Sequence, residues 1–216
     1  MPTSPPQITL STLTYTACYC EENVYLLCRK LVCDKHPEND KDSLASSDFK
    51  IYAVFISNKN ETIPLFRQRA SLQDNGFIIW DYHVILVYTQ PMYDKEKKKS
   101  WVYDLDTTLD FPCDFETYAR EALIDVNNDD ESFERLYRVI PAETFLEVFA
   151  SDRSHMINSD DGTWMSPPPL YPPILSSKGT RMNLPLFIDM MENKDSKDYG
   201  KVFQEGEFIE YFTSKR

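Results

Sequence analysis

The sequence predicts an α/β domain of the α+β kind, a central antiparallel sheet flanked by helices. Three observations predict it. Phe77–Tyr88 is the longest β-branched and aromatic run and is entered through Gly76; its near-continuous apolar character marks a central strand buried on both faces. Val24, Leu27, Cys28, Leu31 and Val32 recur at helical spacing and make one apolar face. Ile51–Ser57 and Trp101–Asp106 supply shorter strand patterns to lie beside the central one. The chain has 216 residues, 42% of them hydrophobic, which suits one such domain. Residues 1–14, polar and Pro-rich, are expected as a flexible N-terminal arm, and 15–216 as a single domain.

In chain order, Glu21 and Glu22 suit the first turn of a helix, where the dipole favours negative charge. Cys20 then sits at the helix N-terminus, a location expected to lower a thiol's pKa. Cys28 and Cys33 read as structural. The polar stretch 34–50, with His36, reads as surface loop. Ile51–Ser57 and Thr62–Phe66 are expected to form a hairpin through Asn58–Glu61, with Pro64 marking an edge strand. Arg67–Gly76 connects to the central strand. Thr89–Ser100, carrying Lys95–Lys99, is read as a solvated hairpin tip. A hairpin centred between Tyr93 and Asp94 places His83 directly opposite Asp104, and directly opposed residues share a face. Asp81, two residues from His83, would share it as well.

Beyond the hairpin, Phe111–Cys113 turns the chain and Asp114 caps a helix with Phe115, Tyr118, Ala119, Ala122 and Leu123 inward. Asn127–Glu131 is acidic loop. Ser132 is expected to cap a short helix carrying Phe133, Leu136 and Tyr137. Pro141 and Ala142 open another, with Phe145, Val148 and Phe149 inward. A polar segment, Ser151–Met156, holds His155; a turn covers Asn158–Thr163. Ser166–Pro173 should be extended polyproline, and its PxxP offers a weak SH3-ligand pattern. Asn183 and Pro185 start a helix through Leu186, Phe187 and Met190. A last short helix or strand carries Phe208, Ile209 and Phe212.

The formal net charge of −12 argues against nucleic acid or an anionic membrane as the main partner and tolerates a cationic ligand such as a free amino terminus. Five cysteines without a CxxC pair suggest no disulfide framework. No signal peptide and no run long enough to span a bilayer are evident. A reduced, cytoplasmic protein is the expectation.

A thiol at a helix start, an imidazole on a central strand and a carboxylate opposite it make an activated nucleophile. The imidazole takes the thiol proton, and the carboxylate sets its tautomer and stabilises the cation. Cys20, His83 and Asp104 are the residues, the helix N-terminus offers N–H groups to an oxyanion, and the natural reaction is acyl transfer through a thioester. Against this stand plainer readings: Cys20 as a structural thiol, His83 as a core histidine satisfied by Asp104, or a zinc site from Cys18, Cys20, His83 and His155, disfavoured by the Cys-x-Cys spacing.

Cys18–Asn23 (CYCEEN), Trp80–Val84 (WDYHV), Tyr103–Thr107 (YDLDT), Phe111–Cys113 (FPC) and Phe149–Met156 (FASDRSHM) together resemble the protein N-terminal glutamine amidohydrolases, the WDYHV-motif family. The blocks stand in the family's order, from about residue 15 to near the C-terminus, and several long motifs are far more specific than a lone triplet. The resemblance implies a papain/transglutaminase-like cysteine hydrolase fold, a monomer without cofactor, and hydrolysis of an N-terminal glutamine side-chain amide to glutamate with release of ammonia. It implies proteins or peptides with N-terminal Gln as partners, within the N-degron pathway; the partition between cytoplasm and nucleus stays open. Matched by motif, the nucleophile is Cys20, the base His83 and the orienting acid Asp104; no metal is implied. Binding of the substrate α-ammonium calls for a carboxylate or carbonyl, and Glu21, Glu22, Asp81 and Asp106 are the candidates. A cysteine peptidase, a transglutaminase or a non-enzymatic interaction module are the alternatives.

Overall fold

The computed structural model describes residues 4–35, 49–92, 98–126, 131–191 and 195–213. His36 and nearly all of the 34–50 loop, Lys95 to Lys97 of the charged tip and 127–130 of the acidic loop lie outside that set.

Helix α1 (Cys20–Lys35) is followed by strands β1 (Lys50–Ser57), β2 (Ile63–Leu65), β3 (Ile78–Trp80), β4 (His83–Pro91), β5 (Lys98–Tyr103) and β6 (Cys113–Asp114). Then come α2 (Phe115–Ala122), β7 (Leu136–Pro141), α3 (Ala142–Val148), α4 (Leu184–Ile188), β8 (Asp195–Ser196), β9 (Gly200–Gln204) and α5 (Glu205–Phe212). Seven strands form one sheet in the order β6-β5-β4-β1-β7-β9-β8, and β2 and β3 form a separate pair. Every pairing in both is antiparallel.

Alternation along β4 explains its near-continuous apolar sequence. Val84, Leu86 and Tyr88 join Val24, Leu27, Phe55, Phe145 and Phe187 in one buried cluster. Ile85 and Val87 join Val54, Ile56, Tyr118, Phe208 and Phe212 in the other. Helices α1, α3 and α4 therefore cover one face of the sheet, and α2 and α5 the other, so both faces of β4 are dry. Asp114 caps α2 as expected, its side chain accepting from Thr117 N.

Several expectations are corrected. The Phe77–Tyr88 run is two strands, not one. The chain breaks at Asp81-Tyr82, where the Asp81 carboxylate accepts its neighbour's N–H (2.8 Å), and β3 leaves the main sheet to pair with β2. Asp81 is exposed while His83 is buried, so the two do not share a strand face. β1 and β2 are not a hairpin: β1 lies between β4 and β7. The intervening turn is held by Asn58, whose amide donates to the carbonyls of Thr62, Ser132 and Glu134. The β4–β5 hairpin pairs Leu86 with Tyr103, two residues away from the register that opposes His83 to Asp104. Leu136 and Tyr137 lie in β7, bonded to β1 and β9, rather than in a helix. Cys33 is exposed, whereas Cys28 is buried as expected. Strands β8 and β9 carry no signal that was recognised in the sequence. Residues 4–14, expected as an arm, lie along the core through Ile8, Leu10 and Leu13, and Pro6 O accepts from Tyr103 OH (2.7 Å).

Candidate active site

Cys20 opens α1. The entry is closed by Asn23, whose side chain accepts from Thr16 N (2.9 Å) and donates to Thr16 O (2.8 Å). Inside that clasp Cys18 takes a left-handed φ of 66°, a conformation that ordinary residues hold only when their surroundings enforce it. The half-buried Cys20 has the Val84 backbone N–H acting on its sulfur, so the helix start abuts the first residues of β4. Its Sγ lies 3.7 Å from Glu21 Oε2. Burial pushes the thiol well above its ordinary range, the Glu21, Asp106 and Asp81 carboxylates push the same way, and the Val84 N–H pulls back. This direction is opposite to the lowering expected from the helix N-terminus, its causes being desolvation and the neighbouring carboxylates.

His83 begins β4 and is 1% exposed. Its Nε2 pairs with Asp104 Oδ1 at 2.9 Å; its Nδ1 has no hydrogen-bond partner among the described residues. Burial works against the imidazolium, but the charge and hydrogen bond of Asp104 override it and the pKa is raised. Trp80 stacks on the ring, centroids 5.4 Å apart and planes 15° from parallel. That stack exists because the chain breaks between β3 and β4.

Asp104 lies just beyond β5, where the chain leaves the ladder and turns. Opposite His83 by curvature rather than by register, it still meets the ring, because a slip of two residues preserves the face. The carboxylate is fully buried and saturated. Besides His83 it accepts from Asp106 N (2.9 Å), Gln68 Nε2 (3.0 Å) and Tyr118 OH (2.8 Å). Burial alone would raise its pKa, but His83 and these donors hold it below the usual carboxylate value. Gln68, Tyr118 and Trp80 were missed in the sequence. Tyr118 did carry a signal: a tyrosine on an inward helix face must find a partner for its hydroxyl.

A cavity of about 830 Å³ is lined by Cys18, Cys20, Asp81, His83, Asp106 and His155, with apolar wall from Met165, Leu184 and Met190. Cys20 and His83 thus line one cavity, and Asp104 holds the other nitrogen of the imidazole. Of the four candidates for an ammonium, Asp81 and Asp106 line the cavity. Asp106 accepts from Tyr15 OH at 2.5 Å. Glu22 is committed elsewhere: Arg153 grips it in two hydrogen bonds of 2.8 Å. Arg153 also donates to Pro169 O (3.1 Å) and Pro172 O (3.5 Å), so it fastens the Pro-rich segment to α1. Glu21 is fully buried behind Cys20, with Tyr82 OH donating to Oε2 at 3.1 Å. No three of Cys18, Cys20, His83 and His155 come within range of a shared metal ion; among the described residues that spacing is found for His83, Asp104 and Asp106. No helix among the described residues is long and apolar enough to cross a membrane.

Residues 15–212 match the family model described as N-terminal glutamine amidase. Over 201 residues the chain is 41% identical to the protein N-terminal glutamine amidohydrolase of Danio rerio, covering 93% of this chain and 90% of that one. It is 40% identical to the Homo sapiens protein of the same name, with 99% and 93% covered. The Drosophila mojavensis protein so named is also 40% identical, with 92% and 88% covered.

Proposed function

From the premise that this chain belongs to the N-terminal glutamine amidase family, we propose that it hydrolyses the side-chain amide of an N-terminal glutamine through a Cys20–His83–Asp104 triad. The observation that carries the triad is the His83 ring itself. It is buried, fixed through Nε2 on a saturated carboxylate, and left with an unpaired Nδ1 in the cavity that Cys20 also lines.

Nδ1 of His83 accepts the Cys20 thiol proton, and the sulfur attacks the glutamine Cδ. Collapse of the tetrahedral intermediate breaks the C–N bond; the proton on His83 goes to the departing nitrogen and ammonia leaves. A water then gives a proton to His83 and its oxygen to the thioester carbon; the C–S bond breaks and the sulfur takes that proton back from His83. The products are the glutamate side chain and the free thiol. Asp104 stays ionised throughout, holding the tautomer and stabilising the imidazolium. Burial and the nearby carboxylates push the thiol up, so its proton is taken by His83 as general base. In apo enzymes such a sulfur–imidazole contact is commonly long and tightens in the complex. For the α-ammonium, Asp81 and Asp106 are the two of the four sequence candidates that line the cavity, where Glu61 and Asp189 also stand.

A peptide beginning with glutamine, and one with an internal glutamine, are incubated with the protein while ammonia and product mass are followed. The reading requires ammonia and an intact chain from the first peptide only. Cleavage of the backbone, or transfer to an added amine, would indicate a peptidase or a transglutaminase. Cys20→Ser should lower the rate by several orders of magnitude, about 10⁴-fold or more, as loss of a triad nucleophile does. Unchanged ammonia release by that variant would sink the mechanism.

A further inference from the structure

Buried polar atoms are rarely left without hydrogen bonds, yet beside the indole Nε1 of Trp80 three further side chains around this cavity have such atoms among the described residues. They are Nδ1 of His83, Oε1 of Glu21, and both ring nitrogens of His155. Their positions suggest how they would be paired. Glu21 Oε2 is fixed by Tyr82 OH at 3.1 Å and stands 3.7 Å from Cys20 Sγ, so it takes the thiol hydrogen. Glu21 Oε1 stands 3.7 Å from His155 Nε2, just beyond a hydrogen bond. His155 sits on the turn Ser154–Met156, directly after Arg153, which Glu22 holds against the first turn of α1. A small movement of the imidazole closes the second contact. The thiol has two acceptors within the site, Glu21 Oε2, which it uses, and His83 Nδ1, which is unpaired.

We propose that Glu21 is a positioning residue that holds the Cys20 thiol in the resting enzyme, and that closure of His155 onto Glu21 Oε1 when substrate fills the cavity hands the thiol to His83 Nδ1. The hand-over exchanges an S–H···Oε2 hydrogen bond for an S–H···Nδ1 one, and no covalent bond changes until the sulfur attacks. The groups facing the pair are the Asp81 and Asp106 carboxylates and the Val84 N–H at the sulfur, and Glu22 and Tyr82 at Glu21. The inference rests on Cys20 being the nucleophile and His83 its base.

The test reads the thiol without turnover. Alkylation of Cys20 by iodoacetamide is followed against pH, with the modified site identified by peptide mass. In Glu21→Gln the midpoint should fall by about 1 to 3 pH units, the scale on which one adjacent charge moves a titration. Glu21→Asp keeps the charge but draws it back from the sulfur, so it gives a smaller fall and serves if the first variant does not fold. A midpoint unchanged or raised in the folded variants overturns the proposal. In turnover, His155→Ala should lower kcat by about tenfold, a coupling of the size seen between contacting residues, with KM little changed. His155→Gln, which keeps a donor for Oε1, should recover most of that loss. In the Glu21→Gln background His155→Ala should cost nothing more; losses that simply multiply would overturn the hand-over. Failure of the alkylation test leaves the amidohydrolase reading standing, whereas activity in Cys20→Ser would remove its foundation.

Discussion

At the scale of single residues, the site is governed by how burial is offset. Asp104 and Glu21 are both fully buried carboxylates, yet their proton affinities part in opposite directions. Asp104 receives an imidazole and three further donors, and its pKa is lowered. Glu21 has its own N–H, Tyr82 and the Cys20 thiol, but burial outweighs these and Glu22 adds to it, lifting its pKa to about 7. The consequence for stability has a definite sign. Between the ordinary carboxylate pKa and about 7, the folded protein holds a proton at Glu21 that the unfolded chain releases. Stability from this group is therefore present at low pH and declines as pH rises through that window, by roughly 3 kcal/mol in all. Denaturant unfolding of Glu21→Gln, compared with the parent from mildly acidic to neutral pH, should show a difference that grows in the variant's favour as pH rises. A constant difference would refute the assignment. The same accounting applies to the Cys20 thiol, which burial and the carboxylates push up. A dipole contribution at a surface helix end is small beside the removal of a thiolate from water next to three carboxylates.

Among the elements, the decisive joints are made by buried arginines and by short irregular pieces rather than by regular packing. The Glu22–Arg153 pair ties the first turn of α1 to the Ser151–Met156 segment and, through the Pro169 and Pro172 carbonyls, to the Pro-rich stretch. Arg153 holds this position with a left-handed φ of 65°. Cutting the pair from one side leaves Glu22 buried and uncompensated. Arg153→Ala should therefore destabilise the fold by about 3 to 5 kcal/mol, whereas Glu22→Gln combined with Arg153→Met should cost much less. Urea titrations of the two variants give the comparison, and equal losses would show that the ion pair is not what matters. The break between β3 and β4 is a second joint. It turns Trp80 back over His83 and lets Asp81 reach the cavity wall. Uninterrupted through 77–88, the strand would carry Trp80 along the ladder away from the ring it now covers.

The whole molecule places its chemistry at one end of a sheet with helices on both faces. Cys20 comes from the layer of α1, His83 from the first position of β4, and Tyr118, which steadies Asp104, from α2 on the opposite face. The formal charge of −12 gives the molecule a net negative field. A substrate presenting an α-ammonium is drawn toward such a field, and salt screens the attraction. With glutamine-starting peptides, kcat/KM should fall as ionic strength rises while kcat holds steady. A fall confined to kcat, or no dependence, would argue against steering.

Much of this was legible in the residues alone, and the reason is locality. The helix at Cys20, the cap at Asp114, the start of α3 at Ala142 and the two-sided burial of β4 all follow from spacing, capping chemistry and apolar runs within a dozen residues. Cys20 and His83 were singled out by the same local signs, whereas Asp104 came from a hairpin register that the structure shifts by two residues, and the motifs around all three supported the choice. Tertiary structure alone decided the rest. The β4–β5 register, the turn beyond it that leaves Asp104 on the imidazole, the pairing of β2 with β3, and Leu136–Tyr137 as strand each depend on partners far along the chain. So do the contacts of Gln68 and Tyr118 and the burial of Glu21 beside the thiol. No short window encodes a distant partner, and the proton affinities of the site are set by those partners.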